Sequence, residues 1–388
     1  MPHSLLSSSA RLPLRLPRAA ITLRRGVTSA FTTRTRSAQN LGCSRHPLGP
    51  LSRAPSSASP SSAAPSRALC TAPADDDDRV RLPPFADECL RGVGQVVFCN
   101  SPASGAMILG ALAVGDPWLA VNAAVGAAAA TAAARGAGLD AGATSAGLFG
   151  YNGCLVGCAL SVFLGAPPVT TLAATVVGGG ASAIVAAALK PAMGSVPQWT
   201  LAFNFTTLSA LAYVRPLDGA AAIPADAGAL ELALSPLVGV SQIFVVNSPW
   251  AGAMMLAAIG HYSKGCAAHT LAGSCVGVAA AAAVGAPAGE IAMGLWGFNP
   301  ALTSLAVSVF FVNTPQALAL SGGSAAATAV LFGGAKTAIG AAAGCPALTL
   351  PFCAVASGCH LLGGAAPGLE LAASPHSPEK NEGAKTTM

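Results

Sequence analysis

Between Gly92 and Ala365 the chain is a succession of long apolar runs separated by single charges. The only acids in that stretch are Asp116, Asp140, Asp218, Asp226, Glu231 and Glu290, and the only bases are Arg135, Lys190, Arg215, Lys264 and Lys336. The uncharged runs from Gly142 to Leu189, Leu237 to Gly260, Ile291 to Ala335 and Thr337 to Cys359 reach or exceed the roughly 20 residues with which a helix crosses the hydrocarbon of a bilayer. Several are long enough for a pair of helices. Lipid gives backbone N–H and C=O groups no partner, so a spanning chain satisfies them within helices or in a closed barrel. Runs rich in Ala and Gly without in–out alternation argue against the barrel, and the lack of a charged outer face argues against a soluble bundle. The pattern predicts an all-α integral membrane domain.

Composition agrees: 53% of the residues are hydrophobic and 9% charged, against about 25% charged in an average soluble domain. Outside the apolar region the character changes. Residues 1–74 hold ten Arg, no Lys and no acid, with many Ser and Pro, and are followed by the run Asp75-Asp76-Asp77-Asp78. An acid-free, Arg-rich and Ser-rich start has the composition of an organellar transit peptide, and equally of a basic disordered tail that stays attached. The reading divides the chain into a leader (1–81), a first repeat with its connecting loop (82–230), a second repeat (231–370) and a disordered tail (371–388) rich in Pro, Ser, Glu and Lys.

Eleven cysteines do not make a disulfide framework in a chain of this kind. Most sit singly in apolar runs, where Cys is a small buried hydrophobe. Cys154 and Cys158 are spaced to share a helix face, but with no His or second pair nearby they fit close helix packing better than a metal site.

The strongest internal signal is a duplication. GVGQVVFCNSPASGAM, starting at Gly92, recurs as GVSQIFVVNSPWAGAM starting at Gly239, and GLFGYNGCL from Gly147 recurs in the same register as GLWGFNPAL from Gly294. A third phrase, Val196 to Phe203, pairs with Cys345 to Phe352 at an offset larger by two. Blocks that recur in one register mark a true repeat. Within it, Pro102 and Pro249 should start or interrupt helices, with Asn100, Ser101, Asn247 and Ser248 placed to cap the new ends. Interrupted helices at membrane depth are tolerated where they are buried in protein or line a watery cavity. Their presence at corresponding positions of two halves points to a transporter's binding site.

These phrases, and above all the doubled P-x-x-T-x-P/A-F, resemble the urea transporter family over roughly residues 82–365. The resemblance implies two inverted repeats, each of about five membrane-spanning helices plus one re-entrant half-helix, a narrow passage through each subunit, homotrimers and passive movement of urea. The family signature Leu-Pro-x-x-Thr-x-Pro-Phe falls on Val196–Phe203 and Cys345–Phe352, with Val196 and Cys345 in place of Leu and Ala202 in place of Pro. Carried over to this sequence, it places Thr200 and Thr349 in a line of oxygen acceptors and Gln95 and Gln242 near the two ends of the filter. Phe98 with Tyr151, and Val245 with Phe298, become the walls of flattened slots. Val245 departs from an aromatic pattern, so the second slot is either wider or uses Phe244.

The chemistry suits such a solute independently. Urea is planar, neutral and rich in N–H donors, and stripping its water costs several kcal/mol unless each hydrogen bond is replaced. Hydroxyl and backbone oxygens accept those donors, and a Gln amide both donates and accepts. A fixed carboxylate would attract cations and resist insertion. Duller roles compete with these. A lone Gln or Thr in an apolar helix usually ties helices together, although recurrence in both halves favours the passage. Phe98, Tyr151 and Phe298 serve equally as packing aromatics, and Asn152 and Asn299 fit the satisfaction of freed backbone groups.

Catalytic, metal and cofactor roles find no support. Gly334-Ala335-Lys336-Thr337 lacks the glycines of a phosphate loop, Ala143-Thr144-Ser145-Ala146-Gly147 lacks the first glycine of a nucleophile elbow, and the basic leader lacks the interleaved aromatics of a nucleic-acid binder. The expected partners are urea, the lipid bilayer and further copies of the chain. Passage of ammonia, water or a urea analogue is the nearest alternative, and a non-conducting scaffold of the same fold is the alternative from another class. The family resemblance favours the plasma membrane, whereas a cleaved leader would favour an organelle.

Overall fold

The structure, a computed structural model, describes residues 82–214 and 223–383; the leader and its transit-peptide reading lie outside them. Fourteen α-helices run in two matched series among the described residues. The first is α1 (Pro84–Gln95), α2 (Pro102–Gly115), α3 (Pro117–Gly136), α4 (Ala141–Ser145), α5 (Gly150–Phe163), α6 (Pro168–Met193) and α7 (Leu201–Val214). The second is α8 (Ala229–Ser241), α9 (Pro249–Tyr262), α10 (Lys264–Ala283), α11 (Ala288–Ala292), α12 (Phe298–Phe310), α13 (Pro315–Ala343) and α14 (Leu350–Leu361). The repeat read in the sequence is thus a repeat of elements, helix for helix.

Four helices, α3, α6, α10 and α13, are long and apolar enough to cross a membrane, and the bent pair Ala229–Phe244 and Pro249–Tyr262 makes a fifth if counted as one span. That pair turns through 73°. The bend has local causes. Pro249 opens α9 while the Ser248 hydroxyl accepts the Ala251 N–H at 3.2 Å, and the same pattern recurs in α2 with Pro102, Ser101 and Ser104. Proline's missing N–H is harmless at a first helical position, where it would be unbonded anyway. In both halves the serine supplies the cap. Asn100 instead receives the Arg91 guanidinium on its side-chain oxygen at 3.0 Å, and Asn247 is exposed.

Each half has the same kernel: α3 packs against α5 and α6, and α10 against α12 and α13, while α2 packs against α9 to join the halves. Small residues allow this closeness. A Cβ on Gly126 would lie 2.0 Å from the Gly153 carbonyl oxygen, the kind of backbone approach that membrane helices use in place of hydrophobic drive. Outward faces stay apolar, with Val169, Val177 and Ile184 exposed on α6 and Leu318, Val330 and Leu331 exposed on α13, the surface expected to face lipid. Three ion pairs form among the described residues: Arg135 with Glu88 at 2.8 Å, Arg91 with Asp87 at 2.5 Å, and Lys336 with Glu290, which also accepts the Trp296 indole N–H at 2.8 Å.

The reading of a disordered tail after Leu371 does not describe residues 371–383. The Asn381 amide donates to the carbonyls of Ser308, Val309 and Phe311 at 2.8–3.1 Å, satisfying groups that the end of α12 leaves open. Glu379 accepts from the Ser263 hydroxyl at 2.7 Å and the Gly265 N–H at 2.5 Å at the start of α10, where a negative charge is favoured. His376 stacks on Tyr262 with ring centres 5.0 Å apart. Composition marked this segment as polar; its partners lie some 70 to 116 residues away in the chain.

Candidate functional site

Four backbone positions show where the helices are forced to break. Phe98 (φ 59°), Val245 (φ 64°), Trp199 (φ 49°) and Leu348 (φ 48°) are the described non-glycine residues with left-handed backbone. They form two matched pairs, one just before the Asn-Ser-Pro phrase and one just before the signature threonine. Left-handed backbone costs a residue with a Cβ roughly 1–2 kcal/mol, and such strain persists where the surroundings over-determine it.

Two of those residues, Phe98 and Trp199, line a small cavity together with Gln95, Tyr151, Thr200, Phe310 and Phe352, among others, with a volume of about 20 Å³. The lining comes from the end of α1 and its following turn, the start of α5, the entry to α7, the end of α12 and the start of α14. Its walls are aromatic. Trp199 packs edge-on to Phe98, Phe310 and Phe352 with ring centres 6.2, 5.0 and 5.7 Å apart, the arrangement that ring quadrupoles favour. The Trp199 indole N–H donates to the Ser357 hydroxyl at 2.9 Å, and the Tyr151 hydroxyl donates to the Trp199 carbonyl.

Beside the cavity the two signature threonines meet. Thr200 Oγ1 lies 2.7 Å from Thr349 Oγ1, and both side chains are buried. Asn204, one turn into α7, donates from Nδ2 to the Thr200 carbonyl and to Thr349 Oγ1, both at 2.9 Å, and accepts the Thr349 N–H on Oδ1 at 3.1 Å. Cys353, the matched position on α14, places its sulphur 3.2 Å from Thr200 Oγ1.

The glutamines and asparagines hold this frame in a repeated way. Gln95 Nε2 donates to the Ala146 carbonyl and Gln242 Nε2 to the Met293 carbonyl, each at 2.9 Å. Asn152 accepts the Phe203 N–H at 3.0 Å and Asn299 the Phe352 N–H at 3.2 Å. The repeat then diverges. Asn299 also donates to the Leu348 carbonyl at 3.0 Å, whereas the matching Trp199 carbonyl is taken by Tyr151 and the buried Asn152 Nδ2 has no partner among the described residues.

The doubled phrases, the doubled breaks and the uncharged threonine junction belong to a known group of proteins: the urea transporter family model matches residues 86–364. The chain belongs to the urea transporter family. The urea transporter 1 of Ovis aries is 34% identical over 300 residues, covering 71% of this chain and 76% of that protein. The urea transporter 1 proteins of Rattus norvegicus (34%) and Mus musculus (33%) match over 299 residues with the same coverage. The protein is therefore an integral membrane protein of a transporter family, and not an enzyme.

Of the residues expected to form the site, Gln95, Phe98, Tyr151 and Thr200 line one cavity, and Thr349 touches Thr200. Gln242, Val245 and Phe298 do not line it. Phe298 packs on Phe332 with ring centres 5.7 Å apart, and Phe244, the alternative aromatic, is buried in the core. Sequence reasoning passed over Trp199, Phe310, Asn204 and Cys353. Phe310 was accessible through the repeat, since Ser161-Val162-Phe163 recurs as Ser308-Val309-Phe310. Trp199 and Asn204 carried the opposite signal: the first sits within the signature and the second just after it, and each differs from its match, Leu348 or Cys353.

Proposed function

We propose that the chain is a passive, channel-like conduit for urea, with the path running between two inverted repeats and past the Thr200–Thr349 junction. The observation that carries this reading is an uncharged pair of buried threonine hydroxyls beside aromatic walls, in a member of the urea transporter family. Flat aromatic faces admit a planar solute edge-first, and the oxygens replace the hydrogen bonds its N–H groups give up on leaving water. Gln95 retains a carbonyl oxygen and a second N–H for solute after anchoring Ala146. Gln242, Val245 and Phe298 furnish the opposite end of the filter. Each half would contribute about five spans and a re-entrant half-helix, and three subunits would assemble, each with its own path. The plasma membrane is the favoured location, with an organelle membrane the destination if the Arg-rich leader acts as a transit peptide.

A second reading rests on the cavity's size. About 20 Å³ holds roughly one water, which needs on the order of 10–15 Å³. Ammonia or water fits a space of that size as it stands, whereas urea needs more room. Stopped-flow light scattering on vesicles carrying the purified protein decides between them. Urea influx well above protein-free vesicles, reduced at least about tenfold in Thr349→Val, supports the urea path. Influx equal to protein-free vesicles, with water or ammonia flux present, turns the assignment to the smaller solutes.

A further inference from the structure

One end of the hydrogen-bond chain at the threonine junction has a determined direction, and it comes from one residue. The amide of Asn204 cannot be reversed, because the Thr349 N–H must meet an oxygen and a reversed amide would set its oxygen against the Thr200 carbonyl oxygen. Its Nδ2 therefore donates to Thr349 Oγ1. With Thr349 accepting there, the arrangement that keeps every hydroxyl hydrogen within the junction has Thr349 donating to Thr200 Oγ1 at 2.7 Å and Thr200 donating to the Cys353 sulphur at 3.2 Å. Every hydroxyl hydrogen then points inward along the chain, and each threonine keeps a lone pair.

We propose that Asn204 is a positioning and specificity-determining residue: it orders the two threonine hydroxyls so that the junction presents two acceptors and no donor to the permeant. The inference rests on the urea reading and deepens it. A pair of acceptors 2.7 Å apart suits a solute that offers parallel N–H groups, and it repels nothing in urea's donor edge. Without Asn204, the Thr349 hydroxyl is free to rotate and direct its hydrogen at the solute. Cys353 completes the arrangement as a weak acceptor that occupies the Thr200 hydrogen. Positions 204 and 353 correspond in the repeat, so one half supplies the amide and the other the sulphur.

That correspondence provides the test. The full-length chain is reconstituted in vesicles as wild type, Asn204→Cys, and the exchange Asn204→Cys/Cys353→Asn, and urea influx is measured by stopped flow with elution volume as the folding control. Asn204→Cys, which installs the residue the second half already carries, is expected to lower urea influx roughly tenfold. The exchange is expected to restore most of it, because an amide at 353 reaches the same junction from the other side. Unchanged influx in Asn204→Cys overturns the proposal while leaving the urea reading intact. A loss that the exchange fails to repair overturns it as well, since a residue that merely fills space at position 204 gives that result. Wild-type influx equal to protein-free vesicles removes the urea reading and this inference together. Should Asn204→Cys not fold, Cys353→Ala and Cys353→Ser carry the test. Alanine leaves the Thr200 hydrogen without its acceptor and is expected to lower influx about threefold, and serine to preserve it; equal influx in both overturns the proposal.

Discussion

The two halves of this transporter agree in backbone and disagree in side chains, and the disagreements fall at the cavity. Both halves break their helices at left-handed residues, Phe98 and Trp199 in one and Val245 and Leu348 in the other. Both hold the broken ends with Gln and Asn amides at matched places. Yet Tyr151 faces Phe298 across the repeat, Trp199 faces Leu348, and Asn204 faces Cys353. The cavity is consequently built on Phe98, Tyr151 and Trp199 of the first half and closed by Phe310 and Phe352 of the second, while the amide that bonds Thr349 comes from the first half and the sulphur beside Thr200 from the second. The breaks are fixed by backbone satisfaction, which has few solutions in lipid. The side chains beside the breaks are less constrained, since Tyr151 and Asn299 meet matched carbonyls with different groups.

The comparison is sharpest where the halves are most alike. Gly147 (φ 74°) and Gly294 (φ 69°) occupy the same turn, and a Cβ on either would lie 2.4–2.5 Å from the backbone nitrogen of Gly92 or Gly239. Changing either to Ala combines left-handed strain with backbone overlap, for an expected loss of about 2–4 kcal/mol. Thermal unfolding in detergent should show equal damage from the two substitutions; damage in one half alone would break the equivalence.

A smaller effect should separate the halves. Asn299→Leu leaves both the Phe352 N–H and the Leu348 carbonyl without a partner, an expected cost of about 2–4 kcal/mol at about 1–2 for each buried group. Asn152→Leu frees only the Phe203 N–H and removes an amide nitrogen that had no partner, for about 1–2 kcal/mol. Equal losses in unfolding experiments would mean that Tyr151 does not substitute for an amide at the Trp199 carbonyl.

The smallest expected effect concerns the tail, which binds the second half alone. Partial burial disfavours the Glu379 charge, but the Ser263 hydroxyl and the Gly265 N–H together hold its carboxyl below the usual range. A depressed folded value means that the contribution is fully present above the ordinary value near pH 4.5 and is lost as pH falls through the lower folded value. Protection of the amides at the start of α10 against hydrogen exchange, taken relative to the intrinsic rate at each pH, should therefore fall on acidification in the wild type, whereas Glu379→Gln should show that lower protection already at neutral pH, by no more than about threefold. Protection that is independent of both pH and the substitution would detach the tail from α10.

The sequence alone determined the membrane class, the repeat, the proline-opened helices and the family. Each follows from local pattern: uncharged length, register, and the chemistry of Ser-Pro at a helix start. It also named both threonines, because the Pro three residues before and the Phe three residues after recur around them. Only the tertiary structure decided that Thr200 and Thr349 touch, that Phe310 and Phe352 from the second half close a cavity built on the first, and that Phe298 packs elsewhere. The docked tail is of the same kind, since Asn381 and Glu379 find partners at helix ends far away in the chain. A polar residue's neighbours across the fold leave no trace in its own surroundings, whereas a helix break is written in the residues that make it.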